Sequence, residues 1–338
     1  MIVAIFMNYT YNKFLRRMAA VIVAALALAH NAGGIDLAAI KSPIILQGDS
    51  TKSYRDPAVV YQDGVFRLFC TLIRPEADGR RYLYTVETRS TNLVDWTAPR
   101  LLTPKDLSLN FCSPGDVVRF GQEWILCVSS YPRPNGERYG NTNARLWILR
   151  SQDLDRWSQP EMLKVKGPDV PFDRMGRMVD PYLFQDKDDP GKWWCFYKQN
   201  GASLSWSRDL NTWHYSGHVD AGENVCMLVE NGEYVMFHSP TNGIGWKSST
   251  DLKTWRDNGW TALGQKDWYW ARGRVTAGFV LDLRQEPGIG KYLMFFHGSG
   301  PENEWGSFAS LGLAWSDDLV NWDWPGKAAT NNVSKSTP

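Results

Sequence analysis

Apolar residues along this chain come in short runs of strand length, among them FRLFCTL, WILCVSS, WWCFYK and NVCMLV, with Gly, Asn, Asp and Pro between them. Runs of this kind predict strands rather than helices. A fixed motif, Ser-x-Asp/Asn-Leu-x-x-Trp, follows five of the apolar stretches, at Ser90–Trp96, Ser151–Trp157, Ser207–Trp213, Ser249–Trp255 and Ser316–Trp322. Its tryptophans are 61, 56, 42 and 67 residues apart. Upstream of each copy stands a second pattern, a small apolar strand, a turn carrying Gly and an aromatic-rich strand, starting at Asp56, Gly115, Asp180, Glu223 and Gly278. Three or four strands repeated five times predict an all-β chain folded as a five-bladed β-propeller over residues 40–326. The Ser-x-Asp motif is then the turn between the two outer strands of a blade, with its Trp packed on that blade. Unequal spacing means unequal insertions, which build the rim of one face. The longest insertion contains Trp268, Trp270, Arg274 and Trp305.

Two packed β-sandwiches would use similar strands but would not need one turn repeated in register through the whole chain. The six-bladed propellers with a related Ser-x-Asp-x-Gly-x-x-Trp turn carry Gly where Leu252 and its equivalents stand here.

Composition agrees with a strand-rich fold, since Trp 17, Tyr 14 and Phe 14 accompany Gly 29 and Pro 18. Lys+Arg 37 against Asp+Glu 36 leaves a formal charge of +1, so nothing resembles the basic field that gathers nucleic acid. At the N-terminus Lys13, Arg16 and Arg17 precede the apolar run Met18–Ala29 and small residues. This is the pattern of a cleaved export signal over residues 1–32, and the run is short of the ~20 residues that cross a bilayer. A secreted or periplasmic protein, free of the membrane after cleavage and monomeric, is expected, with residues 327–338 as a disordered tail. Five cysteines are an odd count, and Cys70, Cys127, Cys195 and Cys226 each sit inside an apolar run, so they read as core rather than as a disulfide framework. No Cys/His spacing suits zinc, and neither phosphate-loop nor dinucleotide-binding glycine pattern occurs, so no cofactor is required.

In a propeller the inner strands converge on a central channel, so acids that open those strands point into one funnel. Asp56 (RDPAVVY), Asp180 (VDPYLF) and Glu223 (GENVCML) do so in the first, third and fourth units. One Asp-Pro pair is ordinarily a turn initiator. Three acids at one place in three blades shift one another's pKa, which lets one be neutral while another is ionised. Asp116 opens the second unit and reads either as a sugar ligand or as a turn residue. His238 and His297 follow the second strands of the last two units, where they face the channel as ligands or serve the structure. Trp270 and Arg274 suit stacking on a sugar and binding its hydroxyl or carboxylate groups.

At these residues the sequence resembles glycoside hydrolase family 43 and its five-bladed relatives. The resemblance spans 54–324 and rests on Arg55-Asp56-Pro57, Val179-Asp180-Pro181-Tyr182-Leu183-Phe184, Gly222-Glu223 with the following ENGEYVMFHS, and the five turns. It implies a hydrolase for O-glycosyl bonds acting on plant or algal oligo- or polysaccharides, with arabinose or xylose linkages leading. It also implies roles: Asp56 as the general base that activates water, Glu223 as the general acid, and Asp180 as the acid that tunes its neighbour's pKa while staying ionised. Some members hold a calcium in the channel, which implies a possible structural ion here. The sequence departs from the family where Asn224-Val225 follow Glu223 in place of Gly-Pro or Ala-Pro, and where 43 residues separate Asp180 from Glu223. The sucrose and fructan hydrolases of this fold open on W-M-N-D-P-N, which Tyr54-Arg55-Asp56-Pro57 does not match. A carbohydrate-binding propeller without turnover and a five-bladed phosphorylase or transferase are the alternatives.

Overall fold

A computed structural model describes residues 35–301 and 307–327. The expected export signal, Trp305 and the expected tail beyond residue 327 lie outside the described residues. The strands are β1 (Ile44–Leu46), β2 (Ser53–Gln62), β3 (Val65–Pro75), β4 (Arg81–Ser90), β5 (Arg100–Leu101), β6 (Val117–Phe120), β7 (Glu123–Ser129), β8 (Leu146–Ser151), β9 (Glu161–Met162), β10 (Val179–Gln185), β11 (Trp193–Lys198), β12 (Ala202–Ser207), β13 (Trp213–Val219), β14 (Glu223–Glu230), β15 (Glu233–Ser239), β16 (Gly245–Ser249), β17 (Arg256–Trp260), β18 (Arg274–Leu283), β19 (Lys291–Ser299), β20 (Ser310–Ser316) and β21 (Trp322–Asp323). They form five antiparallel sheets. Four are consecutive meanders, β2 to β5, β6 to β9, β10 to β13 and β14 to β17. The fifth runs β18, β19, β20, and its outer position is shared by both ends of the described chain: β1 pairs with Leu311 and Gly312, β21 with Trp315 and Ser316. This is the five-bladed propeller that the repeat predicts, sealed by a strand from before the first repeat.

The five motif turns have the same construction. The serine hydroxyl accepts the N–H of the leucine three residues on, at 2.8–3.0 Å in the turns starting at Ser90, Ser151, Ser249 and Ser316. The Asp or Asn side chain accepts two backbone N–H groups further along, as Asp209 does from Asn211 and Thr212 at 2.8 and 2.7 Å. These local bonds allow the leucine to take a left-handed backbone, with φ of 63°, 62°, 59°, 61° and 66° at Leu93, Leu154, Leu210, Leu252 and Leu319. A side chain there costs about 1–2 kcal/mol. Burial of the leucine, at 5 % exposure or less, offsets that cost. The motif's tryptophan then donates its indole N–H to the leucine carbonyl in four blades, at 2.9–3.2 Å. In the second blade the Leu154 carbonyl accepts from Arg67 Nη1 instead, and the buried Trp157 indole N–H has no partner.

The blades pack through aromatic and aliphatic faces into one large core with smaller ones beside it. All five cysteines are free and buried, as the apolar contexts predict for Cys70, Cys127, Cys195 and Cys226; Cys112, outside those runs, is buried as well.

Candidate active site

The inner strands do not run straight into the channel. The register of β2 against β3 slips between Arg55 and Ala58, that of β10 between Val179 and Tyr182, that of β14 between Glu223 and Cys226, and that of β18 between Thr276 and Phe279. Each slip is a β-bulge, and its first residue is left-handed: Asp56 (φ 51°), Asp180 (54°), Asn224 (51°) and Ala277 (56°). In the second blade Ser113 (φ 46°), before Pro114 and Gly115, occupies the same place. These five residues form a ring at the foot of a funnel.

Neighbouring blades hold four members of this ring by hydrogen bonds to the backbone. Thr71 Oγ1 accepts Ser113 N–H at 2.7 Å, Ser129 Oγ accepts Asp180 N–H at 3.5 Å, Ser239 Oγ accepts Ala277 N–H at 2.7 Å, and His297 Nδ1 accepts Asp56 N–H at 3.1 Å. Each acceptor lies on the second strand of one blade, and each donor lies on the first strand of the next or, for Ser113, just ahead of it. Strained backbone persists only where its surroundings dictate it, and this belt of bonds does so.

Glu223 stands one residue before the ring. Asn224 fills the position that Asp56 and Asp180 hold in their blades, and Glu223 is level with Arg55 and Val179. The expectation of three acids at one place is therefore corrected: two are equivalent and the third is offset by one step, with a longer side chain. The offset also accounts for Asn224 following Glu223, since asparagine tolerates the left-handed backbone that the bulge requires.

A cavity of about 440 Å³ opens above the ring. Asp56, Asp180, Glu223 and Arg274 line it together, along with Arg55, Arg177, Tyr131 and Tyr139. Asp56 Oδ2 accepts from Thr71 Oγ1 (3.0 Å) and Ser113 Oγ (3.3 Å), while Oδ1 accepts from Asn224 Nδ2 at 3.4 Å. Burial raises the Asp56 pKa, opposed by the nearby Arg55 charge. Asp180 is pushed up to about 8, by burial first and then by the charges of Glu223 and Asp56. Glu223 Oε1 accepts from Arg274 Nη2 at 2.7 Å in an ion pair. The structure thus favours the proton on Asp180, whereas the resemblance implied an ionised Asp180.

The other candidates lie outside the cavity lining. Asp116 is buried one step past the bulge of the second blade, where Oδ1 accepts Val117 N–H at 2.7 Å and burial lifts its pKa to about 7. His238 accepts Gly222 N–H on Nδ1 at 2.9 Å and so positions the backbone that leads to Glu223. A Cβ on Gly222 would lie 2.0 Å from the Ser239 carbonyl oxygen, which explains the glycine. Burial lowers the His238 pKa to about 4, and burial with the charges of Arg55 and Arg274 holds that of His297 well below its ordinary value, so both are neutral. Trp270 stacks within the fifth blade on Trp268 (5.4 Å) and Phe296 (6.0 Å), over the space left by Gly298 and Gly312.

His297, at the channel, is no ligand for the implied cation. His297 Nδ1 accepts a backbone N–H, so its proton is on Nε2, and a protonated nitrogen ligates nothing. No group of three or more His, Cys, Asp or Glu side chains suited to a metal occurs among the described residues.

The fold has counterparts among solved structures. An exo-1,5-α-L-arabinanase from a bovine ruminal metagenomic library superposes with a TM-score of 0.56 at 14 % identity, covering 82 % of this chain and 99 % of that one. A thermostable family-43 glycoside hydrolase gives 0.56 at 14 %, covering 85 % and 96 %. The catalytic domain of the Coprinopsis cinerea family-62 α-L-arabinofuranosidase gives 0.56 at 17 %, covering 81 % and 95 %. The chain has the five-bladed fold of these hydrolases. No family model matches the sequence, and no curated protein matches it.

The structure adds residues that the sequence reading left out. Arg177 follows the left-handed Gly176 (φ 73°), whose carbonyl accepts from Arg145 Nη1 at 2.7 Å, and the Arg177 carbonyl accepts from Gln199 Nε2 at 3.0 Å. Tyr131 and Tyr139 come from the long loop between β7 and β8, which the pattern marks only as an insertion.

Proposed function

We propose that this protein is an inverting glycoside hydrolase for plant or algal oligo- or polysaccharides, exported from the cell by its N-terminal signal. Arabinose and xylose linkages are the first candidates, by likeness to the family-43 fold. The observation that carries the reading is the convergence of Asp56, Asp180 and Glu223 in one cavity, two of them on strained bulges held by neighbouring blades. Asp56 and Glu223 belong to the first and fourth blades, and the fifth blade stands between them around the ring. An inverting pair needs about 6.5–9.5 Å between carboxyl groups to admit a water. Asp56 Oδ2 is held by two hydroxyls, while Oδ1 accepts only the long bond from Asn224 and has a lone pair to take a proton from the attacking water. Glu223 Oε1 is held by Arg274, so Oε2 carries the proton to the leaving oxygen. Asp180, pushed up to about 8, holds its own proton below that pH and so keeps its negative charge out of the cavity it shares with Asp56 and Glu223.

The test is hydrolysis of a panel of aryl glycosides and oligosaccharides, with product anomers followed by NMR. Asp56→Asn and Glu223→Gln should each lower turnover by about 10²–10⁴-fold. A first product of inverted configuration is expected. Retained configuration, or full activity in Asp56→Asn, would overturn the assignment. Binding without turnover on every sugar would favour a carbohydrate-binding propeller.

A further inference from the structure

Three guanidinium groups and three carboxyl groups line the cavity, but they do not cancel. Arg274 is taken up by Glu223. Arg55 and Arg177 line the same cavity and form no ion pair among the described residues. Arg55 is only 8 % exposed. Arg177 Nε donates to the Gly140 carbonyl at 3.3 Å, and its guanidinium lies 5.5 Å from the centre of the Tyr131 ring, so the group has a fixed direction. Its backbone is fixed as well. Arg145, almost wholly buried, donates to the carbonyls of Phe172 and Gly176, and Gln199 Nε2 donates to those of Met175 and Arg177. This is a built cationic position, with the arginine held from behind.

A sugar that fills the cavity strips water from both guanidinium groups, and a desolvated cation is costly unless an anion or several acceptors replace the water. Asp56 and Asp180 are poor partners for this purpose: burial raises the pKa of each, and neither lies within ion-pair distance of Arg55 or Arg177. Hydroxyl groups would satisfy the donors but not the charge. A carboxylate or sulfate ester does both, and the planar guanidinium fork matches the two oxygens of such a group.

We infer that the sugar held in this cavity bears an acidic substituent, a uronic carboxylate or a sulfate ester, which Arg177 and Arg55 bind. The inference rests on the hydrolase reading above and narrows its substrate from neutral pentose linkages toward acidic glycans.

The experiment compares matched pairs: uronic-acid oligosaccharides and the same compounds after carboxyl reduction, and sulfated oligosaccharides before and after desulfation. Linkage and stereochemistry are constant within each pair, so the ratio of kcat/KM isolates the acidic group. The acidic member of one pair should be preferred at least tenfold, and which pair it is identifies carboxylate or sulfate. The preference should shrink with added salt. In Arg177→Ala the ratio should fall toward one, and Arg177→Lys, which keeps the charge without the fork, should fall between. Equal or better use of the reduced and desulfated compounds, or an unchanged ratio in Arg177→Ala of unchanged melting temperature, would overturn the inference. So would turnover that requires inorganic phosphate and releases a sugar phosphate, which would make the anion a co-substrate. If no compound is hydrolysed, calorimetric binding of the same pairs still decides: acidic preference without turnover upholds this inference while the hydrolase reading fails, and no acidic preference ends it.

Discussion

The molecule uses a left-handed residue in each blade at both ends of the propeller, for opposite purposes. On the face away from the funnel, five leucines hold that backbone in five nearly identical turns, each with its serine, its acid or amide and its tryptophan. At the funnel foot the five equivalent residues are Asp56, Ser113, Asp180, Asn224 and Ala277, with different side chains in most blades. Where the same residue returns five times, the strain is offset locally by burial and hydrogen bonds, and the product is stability. Where the residues diverge, the strain is held by the neighbouring blade and the product is a set of side chains aimed at one cavity. Repetition marks the scaffold, and broken repetition marks the chemistry.

The largest expected effect breaks the funnel side of this comparison. Burial and the charges of Glu223 and Asp56 push the Asp180 pKa up to about 8, from 3.8 for a free aspartate. A carboxyl group raised in the folded state contributes stability that is fully present below about pH 4 and is lost as pH rises through about 8. Asp180→Asn removes that dependence, so its stability advantage over the unsubstituted protein, followed by melting at each pH, should be absent at pH 4 and grow by pH 9 to the order of a few kcal/mol. A melting difference independent of pH would show that Asp180 is ionised in the fold.

A smaller effect tests the turn side. At Leu252, with φ of 61°, alanine loses the buried side chain and keeps the strain, whereas glycine loses both. Leu252→Gly should therefore be more stable than Leu252→Ala by about 1 kcal/mol, the reverse of the usual order, measured by urea unfolding. The smallest effect lies within the turns themselves. Trp213→Phe deletes an indole bond to the Leu210 carbonyl at 3.0 Å, while Trp157→Phe deletes an N–H that has no partner. The first should cost about 1 kcal/mol more than the second in the same assay. Equal costs would remove the indole bond from the account of turn stability.

Much of this was legible beforehand because the turns are local. Serine, Asp and Leu at fixed spacing bond to their own backbone, so seven residues carry all the information and five copies give the blade number. The acids were legible as strand openers for the same reason. The offset of Glu223 was not, because register belongs to a pair of strands, and a bulge shifts one strand against the other without changing the apolar pattern. Ser113 was hidden by having no acid, although its Ser-Pro-Gly context carries the turn residues of a bulge. Arg177 depends on a loop whose shape is set by Arg145, distant in sequence. Trp270 was ambiguous in principle, since an aromatic ring suits a sugar face and a neighbouring ring equally; Gly298 and Gly312, which leave room for it, were the available sign.

The outer position of the last blade has a consequence for how the chain folds. β1 and β21 share the edge of β20, so residues near 45 must find residues near 311 before the ring is complete. Such a contact pays the entropy of closing nearly the whole chain, and it comes after the local hairpins have formed. Until then the fifth blade has an open stretch of edge along β20 able to pair with another molecule. A three-residue strand far from the cavity therefore governs whether the ring closes on itself or joins a second chain.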